Sequence, residues 1–173
     1  MEKLSELLRS GKTLPELVVF DLDETLWPFW CISKVKKPIK KCEKTGHVKG
    51  SDGKIVSLYQ GAYDIIHSLH NHGLTLGIAS KTPVEDFATE VLAALNIKDY
   101  FSYAVMKPRS KTYHFEELRK QSAIDFKDML FFDDNHGNIY DANTMGVTSI
   151  YIEDGLTLQH VLDGLTKFHN KNS

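Results

Sequence analysis

The chain has 173 residues, 42% hydrophobic and 25% charged, a length and balance that fit one globular domain with its own core. A chain of this size buries roughly 70% of its unfolded surface, so it needs no disulfide framework. The formal net charge of −2 argues against nucleic acid or a membrane surface as partner.

Cys31 and Cys42 make no CxxC or Cys/His zinc spacing and fit a reducing compartment. The opening MEKLSELLRSGK lacks the apolar run of a signal peptide. No stretch approaches the roughly 20 apolar residues of a membrane span. The expectation is a soluble, cytoplasmic, monomeric protein.

In chain order, residues 2 to 9 place Leu4, Leu7 and Leu8 on one side of a short helix. LVVFD (17 to 21) is the first of five apolar runs; LTLGIAS (74 to 80), YAVM (103 to 106), MLFFDD (129 to 134) and VTSIYI (147 to 152) follow. Continuous rather than alternating apolar runs predict parallel strands covered on both faces. Residues 31 to 57 interrupt the rhythm with eight lysines against Glu43 and Asp52, a local +6 that leaves −8 for the rest. This segment reads as a long loop insert, either a solvated loop or a basic surface that attracts anionic substrates.

Tyr63, Ile66 and Leu69 then recur at helical spacing before the stop signal Asn71-His72-Gly73. His67, His70 and His72 read as a surface cluster at that helix end rather than a metal site. Pro83 opens a helix that places Phe87, Val91, Leu92 and Leu95 on one face. Further helices are predicted over 112–122, 137–145 and 156–168, the second ending at Gly146. Strand–helix alternation implies a doubly wound α/β sheet without internal repeats.

Ligands of such sheets bind beyond the carboxyl ends of the strands. Asp21 and Asp23 follow the first predicted strand, Ser80 and Lys81 the second, Lys107 to Lys111 the third, and Asp133 and Asp134 the fourth. Adjacent strands would bring two acidic pairs and two basic groups into one crevice. A like-charge pair at about 4 Å costs about 1 kcal/mol in water and about 4 at an effective dielectric near 20. Such a cluster needs a cation or bound protons, and its oxygen-only ligands point to Mg²⁺.

Lys111 and Ser80 would then face an anion that also touches the metal, and phosphate fits best. Asp21, at a strand end, is the candidate metal ligand and nucleophile. Asp23, two residues on, is the candidate acid for the leaving oxygen and base for the attacking water.

These residues resemble the haloacid dehalogenase superfamily. FDLDETLW at 20 to 27 is similar to its first motif, Ser80 to the second, Lys111 to the third and FFDD at 131 to 134 to the fourth. LPELVVFDLDETLWPFW, ASKT, SKTYHFEEL and FFDDNHGNIYD narrow the resemblance to the magnesium-dependent acid/tyrosine phosphatase family, over about 15 to 165.

The resemblance implies a single Rossmann-like domain over 1–173 with strand order 5-4-1-2-3. It implies a Mg²⁺ site formed by Asp21, the Asp23 backbone carbonyl and Asp134, with Asp133 close behind. Phosphate would be held by the Leu22 backbone, Asp23, Ser80 and Lys81, and substrate met by Trp30 and Lys111. Lys81 departs from the family's arginine and cannot grip phosphate bidentately. Asn135 stands where an acidic residue can follow the Asp-Asp pair.

The intervals from Asp21 to Ser80 and from Ser80 to Lys111 leave no room for a cap domain, so the predicted site is open. Open sites admit phosphorylated protein side chains as well as small molecules, and the resemblance implies phosphotyrosine-type and fructosamine phosphates. Trp27, Phe29 and Trp30 form either an aromatic wall or a core plug. The alternatives are a serine phosphatase of the small C-terminal-domain type and a binding module without catalysis. The Trp-Pro-Phe-Trp string and Asp133-Asp134 disfavour the first, and the presence of both Asp21 and Asp23 disfavours the second.

Overall fold

A computed structural model describes residues 1–30, 35–42, 45 and 47–173. Cys31, Lys34, Glu43, Lys44 and Gly46, which the sequence reading places in the lysine-rich insert, lie outside the described residues. Five parallel strands form the main sheet: β1 (Leu17–Phe20), β5 (Thr75–Ser80), β6 (Phe101–Met106), β7 (Met129–Asp133) and β8 (Thr148–Tyr151). Their spatial order is β6-β5-β1-β7-β8. Counting only these five, that is 3-2-1-4-5, the expected 5-4-1-2-3 seen from the other edge.

Central β1 is buried along its whole length, which is why its sequence does not alternate. Its residues nevertheless divide between two cores. Val18 and Phe20 join Leu76, Ile78, Leu130 and Phe132 on one face. Leu17 and Val19 join Phe115, Leu118, Met129 and Phe131 on the other.

The first face is covered by α2 (Ala62–Asn71), α3 (Glu85–Ala94) and α6 (Leu158–Asn172), with α1 (Glu2–Arg9) packed on α6. The second is covered by α4 (Lys111–Ser122) and α5 (His136–Thr144). α6 reaches β7 closely because Gly164 has no side chain: a Cβ there would stand 2.8 Å from the Phe132 ring.

Three local expectations change. Tyr63 lies on the outer side of α2 and is exposed, while Ala62, Ile65, Ile66 and Leu69 face the core. α3 begins at Glu85 rather than at Pro83, because Val84 has a non-helical backbone and serves as N-cap. The insert is not only loop: β2 (Lys40–Lys41), β3 (Val48–Lys49) and β4 (Ile55–Val56) pair as a small antiparallel sheet. Val48 and Val56 are its buried anchors, too few to read as strands in a lysine-rich segment.

His67 uses both ring nitrogens, on the Tyr100 hydroxyl and the Asn71 side chain, each at 2.9 Å. It has neither left for a metal. Among the described residues no helix is long and apolar enough to cross a membrane.

Candidate active site

The strand ends do converge. Asp21, Asp23, Trp30, Ser80, Lys81, Asp134, Asn135 and Asn138 line one cavity of about 360 Å³ at the carboxyl edge of the sheet. Asp21 follows β1 directly, its N–H donating to Phe132 C=O at 3.0 Å. The chain then makes one tight turn, in which the N–H groups of Thr25 and Leu26 both donate to Leu22 C=O. Glu24 takes a left-handed conformation (φ 58°) inside the turn. This fold-back keeps Asp21 and Asp23 on the same wall.

Lys111 is fully buried at the start of α4. Its Nζ lies 2.6 Å from Asp21 Oδ1 and 3.0 Å from Asp133 Oδ2, and it also donates to the Ala79 carbonyl. The sequence reading has Lys111 touch substrate. The structure instead buries it outside the residues that line the cavity, with its ammonium on Asp21 and Asp133. Lys107 and Arg109, from the same loop, turn outward: Lys107 pairs with Glu85, and Arg109 lies over the Tyr113 ring.

Asp133 is fully buried and saturated by Lys111, the Asn135 N–H at 2.8 Å and the Asn138 amide at 3.0 Å. Asp134 is the member of the pair that reaches the cavity, with the Thr25 hydroxyl donating to it at 3.5 Å. Ser80 is buried at the end of β5, and its Oγ accepts from the Thr82 N–H. Lys81 is exposed on the rim.

Trp27 and Phe29 belong to the core, with rings stacked at 5.5 Å, whereas Trp30 is 57% exposed on the cavity wall. The two open readings of the aromatic string thus divide between its members.

Electrostatics follow from this packing. Burial is the largest influence on Asp21 and, with repulsion from Asp133 and Asp134, raises its pKa to about 7 against the pull of Lys111. Burial, then Asp133, also raises Asp134. For Lys111 burial opposes the charge, but Asp21 and Asp133 outweigh it and the pKa rises.

The four aspartates outnumber Lys81 and Lys111, and the raised pKa values of Asp21 and Asp134 reflect burial and crowding that a divalent cation would relieve. The donors are all oxygen, as Mg²⁺ prefers. Among the described residues no three His, Cys, Asp or Glu side chains form a ligand set alone. Mg²⁺ binds through one or two carboxylates and completes its shell with water and phosphate oxygens, and Asp21 and Asp134 are carboxylates that line the cavity.

Thr25, Asn138 and His114 escape the sequence reading, as does the bond of Trp27 to Asp23: Thr25 and Asn138 bond the acidic pair, and His114 is buried one turn beyond Lys111. The only sequence signal for Asn138 is its place one turn after Asp134.

Comparison with known proteins agrees with this architecture. The family described as Acid Phosphatase matches residues 13–171. Human magnesium-dependent phosphatase 1 is 39% identical over 155 residues, covering 90% of this chain and 88% of the relative. A HAD-like hydrolase superfamily protein of Schizosaccharomyces pombe is 33% identical, covering 78% and 83%.

Among solved structures, one is the N-terminal part of a Bacteroides fragilis protein containing a phosphatase domain complexed with Mg. It aligns at TM-score 0.63 and 17% identity, over 98% of this chain and 43% of that one. CbbY of Rhodobacter sphaeroides in complex with phosphate aligns at 0.63 and 14%, over 90% and 99%. At these identities the solved structures speak to the fold alone.

Proposed function

The chain belongs to the acid phosphatase family, and from that premise we propose that it is a Mg²⁺-dependent phosphatase working through a phosphorylated Asp21. The observation that carries the reading is the placement of Asp21 between buried Lys111 and the cavity it shares with Asp23, Ser80, Lys81 and Asp134.

Asp21 and Asp134, with the Asp23 backbone carbonyl, would hold the metal. When bound, the ion neutralises charge on the phosphoryl oxygens and favours the ionised form of Asp21. An Asp21 oxygen forms a bond to phosphorus as the bond to the leaving oxygen breaks, and the Asp23 carboxyl gives that oxygen its proton. Water then attacks the same phosphorus, its proton passes to Asp23, and inorganic phosphate leaves as Asp21 is restored. Ser80, the Leu22 backbone and Lys81 hold the non-reacting phosphoryl oxygens. Lys81, a point charge on a flexible stem, holds them less rigidly than an arginine fork would.

The exposed Trp30 ring on the cavity wall favours aromatic esters of the phosphotyrosine type, free or on a protein, with a monomer as the working unit. Sugar phosphates of the fructosamine type are the second reading. Hydrolysis of p-nitrophenyl phosphate with Mg²⁺ and with a chelator tests the reaction class. Turnover should require the metal; equal turnover in chelator would remove the metal from the account.

A further inference from the structure

Trp27 is among the largest fully buried side chains of the protein, its ring stacked on Phe29 at 5.5 Å with 6° between planes. A buried indole N–H needs an acceptor. Here the acceptor is no backbone carbonyl of the core: Nε1 donates to Asp23 Oδ1 at 2.7 Å, from behind the cavity wall. A donor on an ionisable carboxyl makes one of the stronger hydrogen bonds available to a side chain.

The backbone reinforces the pair. Residues 23 and 27 form a bridge, the Glu24 N–H donates to Trp27 C=O at 2.8 Å, and the Trp27 N–H reaches back toward Leu22 C=O. The indole is fully buried, with its ring stacked on Phe29. One oxygen of Asp23 is therefore anchored, and the plane of the carboxyl is set before substrate arrives.

We infer that Trp27 is a positioning residue that holds the Asp23 carboxyl in line with the leaving oxygen. The inference rests on the reading of Asp23 as acid/base. A packing role alone would need the ring and not its N–H, and benzothienylalanine at 27, which keeps the ring volume, separates the two.

Loss of the anchor matters in proportion to how much the leaving group needs a proton. p-Nitrophenolate departs readily as an anion, whereas the more basic phenolate of phenyl phosphate depends on protonation. Trp27→Phe should lower kcat for phenyl phosphate at least tenfold more than for p-nitrophenyl phosphate, with KM for both nearly unchanged. Asp23→Asn should show the same leaving-group pattern, and adding Trp27→Phe to it should cost little more.

Equal losses on both esters, or no loss, would overturn the inference while leaving the phosphatase reading intact. A folded wild-type protein that hydrolyses neither ester would overturn both. If Trp27→Phe does not fold, benzothienylalanine at position 27 keeps the ring volume and removes only the N–H; the same two outcomes then decide.

Discussion

Lys111 Nζ lies 2.6 Å from Asp21 Oδ1, an ion pair closed over 90 residues of sequence and sealed from solvent on the lysine side. The same ammonium touches Asp133, so it ties the end of β1 to the end of β7 and neutralises part of the charge that makes the site strained without a cation.

Breaking a buried pair by removing one partner costs about 3–5 kcal/mol, because the other charge is left without compensation. Lys111→Met should therefore lose stability of that order in urea unfolding. It should also lose about 10²–10³-fold in kcat, as removal of a preorganised charge at a reacting group does. A variant as stable as the wild type would show that Asp21 and Asp133 are not held by this lysine.

Trp30 and Trp27 should respond in opposite ways to truncation. Trp30 is 57% exposed, so Trp30→Ala should change stability by less than about 0.5 kcal/mol. It should raise KM for aryl phosphates while kcat holds. Trp27→Ala, in the core, should cost about 3–5 kcal/mol. Steady-state kinetics and thermal unfolding of the two variants, side by side, make the comparison.

His114 predicts a pH dependence of stability. Its ring is buried one turn beyond Lys111, Nε2 donates to Lys107 C=O at 2.8 Å, and Nδ1 has no partner. Burial, aided by the charges of Lys111 and Lys81, outweighs that hydrogen bond and lowers its pKa from 6.5 to about 4. Between those values the unfolded chain binds a proton that the native state refuses. Stability contributed by neutral His114 is full above pH 6.5 and is lost as pH falls toward 4, by up to roughly 3 kcal/mol. His114→Gln keeps a donor for Lys107 and should flatten the unfolding free energy across that window. An unchanged slope would contradict the assignment.

Much of this site was legible in the sequence because the fold states its active edge simply. Runs such as LVVFD end on charge, and in a parallel sheet every such end points to the same side. Asp21, Ser80 and Asp134 could therefore be placed without knowing any distance.

What resisted reading were facts of three-dimensional packing. A lysine is almost always a surface residue by type, and nothing near Lys111 in sequence announces that it is enclosed by Asp21, Asp133 and Ala79. The contact of Trp27 with Asp23 depends on the left-handed turn at Glu24, which no residue preference demanded. The small sheet of the insert hangs on two valines among lysines, a signal below any periodicity.

The central claim is that phosphate passes through Asp21. Asp21→Asn keeps the size of the side chain and removes its nucleophilic charge. With p-nitrophenyl phosphate and Mg²⁺, the folded variant should show no turnover above the uncatalysed rate, beside an active wild type. Turnover at a substantial fraction of the wild-type rate would contradict the account and require another nucleophile.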